Sequence, residues 1–288
     1  MSTAPANATS HAPETGTYQS PDGVAIAWEL HRPVGEAKGL VVIAHGVAEH
    51  SGRYRHVADA LVAAGYAVMI PDHRGHGRSG GARVFVKRFK EYVDDLHGVI
   101  GLAKSKVRAS KVFLVGHSMG GLIALETVLA YPNAVDGLVL SSPGLGTAIA
   151  VPAWKDGLGK IMSKVWPGLA IPTGIPASVV SRDPAVVAAY ESDPLVTKKA
   201  TARWYTEFVA AQADANARAL EVKMPLLVLA AGADKLTSTR AIERWFPQVA
   251  STDKTLMPYP ALYHEVFNEP EKDVVIGDVV RWLDARSA

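Results

Sequence analysis

The 288-residue chain contains no cysteine, which excludes disulfides and thiolate chemistry. It has no surplus of one charge: 30 Lys and Arg against 28 Asp and Glu leave a net +2. With no long basic run, there is no footprint for nucleic acid. No stretch reaches the roughly 18 consecutive apolar residues that a membrane-spanning helix needs. The segment 1–20, rich in Ala, Thr, Ser and Pro, has neither the basic start nor the apolar centre of a secretory signal. These absences imply a cytoplasmic protein with a flexible leader over residues 1–16. At 48% hydrophobic residues the chain can bury one large core.

What is present is an alternation. Thr17 to His31 reads as a hairpin around Pro21-Asp22-Gly23. After it, apolar runs at Gly39–Ala44, Ala67–Ile70, Val112–Val115, Leu138–Leu140, Leu226–Leu229 and, more weakly, Thr255–Met257 are separated by helix-length segments. Strands alternating with helices imply an α/β fold with a mainly parallel central sheet flanked by helices, and reactive groups at the strand carboxyl ends. The rhythm stops between Ser141 and Met224. There Trp154, Leu158, Ile161, Met162, Val165 and Trp166 recur at helical spacing, and Pro167, Pro172 and Pro176 break the chain just after them. This pattern predicts a helical cap, 144–224, inserted between two parts of a core at 17–143 and 225–288. The apolar cap face either buries against a substrate tunnel or makes transient contact with a membrane surface; the pattern leaves both readings open.

Gly116-His117-Ser118-Met119-Gly120 follows one apolar run and opens a helical one. A serine between two glycines on so sharp a strand-to-helix turn has its hydroxyl exposed at a helix N-terminus, as a nucleophile requires. This arrangement takes an acid and then a histidine later in the chain. Of ten histidines, His11, His31, His45, His50, His56, His73, His76, His97 and His117 all precede Ser118, so His264 is the sole candidate base. Asp234 ends the apolar run that starts at Pro225 and stands before the helix-start residues Thr237 and Ser238, which makes it the candidate acid. Asp253, in a polar turn, is the alternative. Acyl transfer also needs two oxyanion donors, here the Met119 N–H and, from the loop after the first parallel run, the Val47 N–H. The glycine-rich segment Asp72–Gly81 has neither zinc spacing nor a phosphate-loop pattern and reads as a polar loop braced by its own hydrogen bonds. His117 reads as a packing residue. The mechanism implied needs no cofactor and no metal.

Several segments together carry a resemblance. They are His45-Gly46-Val47-Ala48-Glu49-His50-Ser51-Gly52-Arg53-Tyr54, Asp72–Gly81, Gly116–Gly121, Ser181-Arg182-Asp183, Tyr190–Leu195 and Tyr263–Pro270. In these the chain resembles the monoacylglycerol lipase and lysophospholipase branch of the α/β-hydrolase family, its bacterial members above all. The resemblance implies a serine hydrolase acting on a small lipid or ester, most of all a monoacylglycerol, with a general carboxylesterase or a lysophospholipase as alternatives. It also implies a cap that lines an acyl tunnel and a polar glycerol pocket with Glu49, Arg53 and Tyr190 at the matching positions. Where the family's loop commonly reads H-G-x-G-E-H, Ala48 replaces the second glycine. Alanine disfavours the positive φ that glycine tolerates, so strain there would shift the loop and its donor.

Overall fold

The computed structural model describes residues 12–148 and 152–287. In chain order its strands are β1 (Glu14–Gln19), β2 (Ala25–His31), β3 (Gly39–Ala44), β4 (Tyr66–Pro71), β5 (Val112–His117), β6 (Gly137–Ser141), β7 (Ala170–Pro172), β8 (Lys199–Thr201), β9 (Leu226–Ala231) and β10 (Lys254–Tyr259). Its helices are α1 (Arg55–Ala63), α2 (Lys90–Lys106), α3 (Met119–Ala130), α4 (Ala153–Val165), α5 (Pro184–Ser192), α6 (Ala202–Ala217), α7 (Thr239–Trp245) and α8 (Lys272–Asp284).

Eight strands form one sheet in the order β1-β2-β4-β3-β5-β6-β9-β10. The β1–β2 and β2–β4 pairs are antiparallel and all the others parallel. Each of β3, β4, β5, β6 and β9 is buried along its whole length, which is why these strands appear in the sequence as unbroken apolar runs rather than alternating ones. One face packs against α2, α3, α6 and α7, the other against α1 and α8. β10 is the outer strand, half-buried and carrying Pro258, and its weak apolar signal reflects having a neighbour on one side only.

Two boundaries differ from expectation. The expected leader runs to residue 16, but β1 already begins at Glu14. Residues 1–11 of that leader lie outside the described residues. Glu14 is held by Lys106 and Arg32, and a Cβ at Gly16 would come within 2.4 Å of the Trp28 ring, so the strand lies flat on the indole. The insertion between β6 and β9 is also less purely helical than its pattern implies. β7 and β8 pair antiparallel as a separate ribbon of three residues each, too short and too interrupted by proline to register as strands. Its last helix, α6, does double duty. Near its start Ser163 and Thr206 hydroxyls meet at 2.8 Å, tying it to α4. Further along, Ala211 and Ala215 belong to the main core, and the Trp245 indole donates to Ala215 O.

The Asp72–Gly81 loop is braced both by its own hydrogen bonds, such as Gly75 N–H to Gly80 O at 2.7 Å, and by residues outside it. Asp72 accepts from Ser51 N–H (2.7 Å) and Arg78 N–H (2.8 Å), and Arg74 pairs with Asp95, Asp22 and Glu91. Its own His73 and His76 pack ring to ring with His45 and with each other. Burial pushes His45 and His117 down to about 4, His76 to about 3, and His73 well below its ordinary 6.5. Below pH 6.5 the unfolded chain therefore takes up protons that the folded protein refuses, at a cost of about 1.4 kcal/mol per pH unit for each group. Glu126, raised to about 7 by burial, and Asp95, also raised by burial, act in the opposite sense, while His56, lowered by burial, adds to the four histidines. The melting temperature is expected to fall steeply from pH 6.5 toward pH 4, before most carboxylates titrate. A flat profile by calorimetry over that window would contradict this reading.

Candidate active site

Ser118 stands between β5 and α3 with φ +54° and ψ −118°. The two elbow glycines are required by space. A Cβ at Gly116 would meet Gly120 O at 2.5 Å, and one at Gly120 would meet Ala44 O at 2.2 Å. Only bare backbone lets the helix start dock on the ends of β3 and β5, and that docking lifts the serine clear of the sheet. The strained φ of Ser118 is held from several sides: its N–H donates to Ser141 O (3.0 Å), and its O accepts from Leu122 and Gly144 N–H.

His264 Nε2 lies 2.9 Å from Ser118 Oγ, and His264 Nδ1 lies 2.8 Å from Asp234 Oδ2. A carboxylate only accepts, so Nδ1 carries the ring proton and Nε2 is free to accept from the serine hydroxyl. Asp234 is itself anchored. Its Oδ1 accepts from Leu236 N–H (2.7 Å) and Thr237 N–H (2.9 Å), and its Oδ2 from the Thr237 hydroxyl (2.6 Å). Asp253, the alternative acid, is instead paired with Arg286. Burial would push Asp234 up, but the His264 charge and its hydrogen bonds outweigh that and hold it below its ordinary value. For His264 the balance runs the other way. Burial alone would lower it, but Asp234, then Glu265 and Glu49, raise it above 6.5. His117, its ring 4.7 Å from that of His264 and its Nδ1 3.1 Å from Ser141 Oγ, is buried and neutral.

Glu49 and Arg53 belong to a buried ion network. Arg53 contacts Glu49 at 2.7 Å and Glu265 through two bonds of 2.7 Å, and its guanidinium lies 4.9 Å from the Tyr190 ring centre. Glu49 Oε1 accepts from the Tyr54 hydroxyl and from Gly46 N–H, both at 2.6 Å, so this carboxylate props the loop that carries Val47. Burial pushes Arg53 down and Glu265 up, but their mutual attraction prevails and both remain charged. Glu265 is the residue that sequence reasoning missed. It stands directly after His264, but its partner Arg53 is 212 positions away, and no local spacing announces that.

A cavity of about 230 Å³ opens over Ser118 and His264, its lining including the polar group Glu49, Tyr190 and Glu265 and the apolar group Trp204, Phe208 and Val209. Arg53 is not part of its wall. Val47, Thr173, Ile175, Trp204 and Tyr205 also line a second cavity of about 560 Å³ between α4, β7 and α6, so the two adjoin.

Ala48 occupies a strained position, as the loss of the usual glycine implies. It adopts φ +66°, the left-handed region, at a cost of roughly 1–2 kcal/mol for a non-glycine residue. The alanine does not shift the loop out of this conformation; surrounding contacts hold it there. Met119, the first residue of α3, has an N–H with no partner one turn earlier in the helix, and Val47 lines the cavity above Ser118.

The negative charges around His264 have a measurable consequence. A neutral imidazole is the active form of a base, so the acidic limb of kcat/KM is expected to have its midpoint above pH 6.5. Glu265→Gln is expected to move that limb to lower pH, and an unmoved limb would mean that this carboxylate does not act on His264.

A hydrogen-bonded Ser-His-Asp set, carried on the carboxyl-end loops of a mainly parallel sheet, defines a serine hydrolase of the α/β-hydrolase fold. The chain belongs to the Hydrolase_4 family, described as serine aminopeptidase, S33, whose model matches residues 35–271. It is 39% identical to a monoacylglycerol lipase of Mycolicibacterium smegmatis over 262 residues, which are 91% of this chain and 93% of that protein. It is also 36% identical to the phospholipase YtpA of Bacillus subtilis over 250 residues, 86% of this chain and 94% of the relative. Among solved structures it is similar to the monoacylglycerol lipase of Paleococcus ferrophilus, with a TM-score of 0.82 and 31% identity, covering 90% of this chain and 98% of that one.

Proposed function

We propose that the protein hydrolyses monoacylglycerols to fatty acid and glycerol through an acyl-enzyme on Ser118. His264 takes the hydroxyl proton as Ser118 Oγ bonds to the ester carbonyl carbon, and Asp234 steadies the imidazolium. The Val47 and Met119 N–H groups hold the oxyanion. The C–O bond to glycerol then breaks, and the alkoxide leaves with the proton from His264. Water, deprotonated by the same imidazole, releases the acid and restores the serine.

The observation that carries the substrate reading is the two-ended cavity. Its inner part joins a larger apolar chamber between α4 and α6, suited to an acyl chain. Its other side offers Glu49, Tyr190 and Glu265, groups that pair with hydroxyls. We assign the insertion 144–224 as the cap that encloses the chain. One other chemistry fits less well. A lysophospholipid needs a cation for its phosphate, yet among the described residues no Lys or Arg lines the inner cavity, and Arg53 is taken up by two carboxylates.

The test is turnover of monoacylglycerols of increasing chain length beside lysophosphatidylcholine, p-nitrophenyl esters and an aminoacyl anilide. A preference for long-chain monoacylglycerol supports the reading; a preference for acetate or butyrate esters reduces it to general esterase activity.

Among the described residues no helix is long and apolar enough to cross a membrane. Even so, Trp154, Leu158, Ile161, Val165 and Trp166 are half to three-quarters exposed, and Trp154 and Leu158 also line the outer chamber. An apolar face at a lipid entrance favours contact with a membrane surface. Replacing Trp154 and Trp166 together by alanine is expected to reduce co-sedimentation with phosphatidylglycerol vesicles several-fold, as loss of two interfacial aromatics should. Equal binding by both forms would count against surface docking.

A further inference from the structure

The loop that carries Val47 is held at both ends, and one of those ends belongs to the insertion. On the core side Glu49 accepts from Gly46 N–H. On the other side Ala48 O accepts from Thr197 N–H at 2.9 Å, and His50 Nε2 lies 2.8 Å from Asp193 Oδ2. Asp193 and Thr197 lie just beyond the end of α5. His50 Nδ1 accepts from Gly52 N–H, so a neutral ring carries its proton on Nε2 and donates it to Asp193. Asp193 is fixed in turn, because its other oxygen accepts from Leu195 N–H at 2.8 Å. Between these anchors lie only Val47 and the left-handed Ala48. None of Asp193, His50 and Thr197 lines either cavity.

We propose that Asp193 is a positioning residue for the oxyanion loop: through His50, and with Thr197 on Ala48, it latches Ala48 in the left-handed conformation and thereby aims the Val47 N–H. The inference rests on the role given to Val47 above. Alanine gains by leaving the left-handed region whereas glycine does not, so an external latch matters more here than it would with glycine at position 48. Val47 sits in the short span between the anchors, and a turn of the backbone at Ala48 must be absorbed there. The insertion then does more than enclose substrate: contact between its α5 end and the core completes the donor set for the transition state.

The test is a double-mutant cycle with Asp193→Ala and Ala48→Gly, read as kcat and KM on a p-nitrophenyl ester and as affinity for an alkylboronic acid, a mimic of the tetrahedral adduct. With Ala48 present, Asp193→Ala is expected to lower kcat and boronate affinity about tenfold with KM within about twofold, the pattern of a displaced oxyanion donor. In the Ala48→Gly background the same change is expected to cost about threefold or less, because glycine does not drive the loop away. Equal losses in both backgrounds, a loss confined to KM, or kcat within about twofold of wild type would each overturn the proposal. Should Asp193→Ala unfold, Asp193→Asn serves: its amide oxygen can keep the Leu195 turn while its NH2 faces the His50 N–H. The same losses are expected from it, and wild-type kcat would again overturn the proposal. Failure here is separable from failure of the site itself, since Ser118→Ala reports on the nucleophile whatever Asp193 does.

Discussion

Ser118→Ala is expected to lower kcat by about a million-fold while leaving the fold and the affinity for a product fatty acid nearly unchanged. The substitution is structurally mild, because alanine at φ +54° is no more strained than serine and the backbone bonds to Ser141, Leu122 and Gly144 do not involve the side chain. What disappears is the hydroxyl aligned on His264, at 2.9 Å. The cavity and the proposed Val47 and Met119 donors stay, so the remaining rate is expected to be the roughly thousandfold advantage over water that such a site retains without its nucleophile. Single-turnover assay and covalent labelling by a fluorophosphonate measure the two halves of this prediction. An enzyme that kept a tenth of its activity would remove Ser118 from the mechanism.

The next largest effect is expected from Asp234→Asn, a loss of about ten-thousand-fold in kcat. The geometry dictates its cause. Leu236 and Thr237 N–H both point at Oδ1, so an asparagine must turn its oxygen to them and its NH2 toward His264. That NH2 donates to Nδ1, which drives the ring proton to Nε2, where it faces Ser118 Oγ and blocks proton uptake. The substitution keeps size and packing, so a normal melting temperature with a nearly inactive enzyme is the expected combination. Asp253→Asn is the control: it loses only a surface pair with Arg286, and full activity is expected. Similar losses from both changes would mean that the Asp234 effect is not one of tautomer.

How legible the site is in the sequence depends on how local its causes are. Ser118 announces itself because its strained turn demands glycines two residues either side. His264 emerges by elimination, and Asp234 because a buried parallel strand leaves an unbroken apolar run that ends at it. Glu265 is invisible for the opposite reason: its meaning comes from Arg53, which only the tertiary fold brings beside it. The strain at Ala48 is legible from the missing glycine, but the Thr197 bond that holds it comes from far along the chain and is not. The fold is legible wherever strands are buried on both faces, and it fades at β7 and β8, whose three residues each pair only with one another.

The close approach of Gly120 to the end of β3 seats Ser118 beside the Val47 loop in the first half of the chain, whereas His264 lies 146 residues further along. During synthesis Ser118 therefore leaves the ribosome well before His264, at roughly 5–20 residues per second an interval of about seven to thirty seconds. Throughout that interval the nascent chain holds a serine with nothing to take its proton. Hydrolytic competence thus arrives only when the last strand has joined the sheet, and the first appearance of activity on refolding marks the end of assembly rather than its beginning.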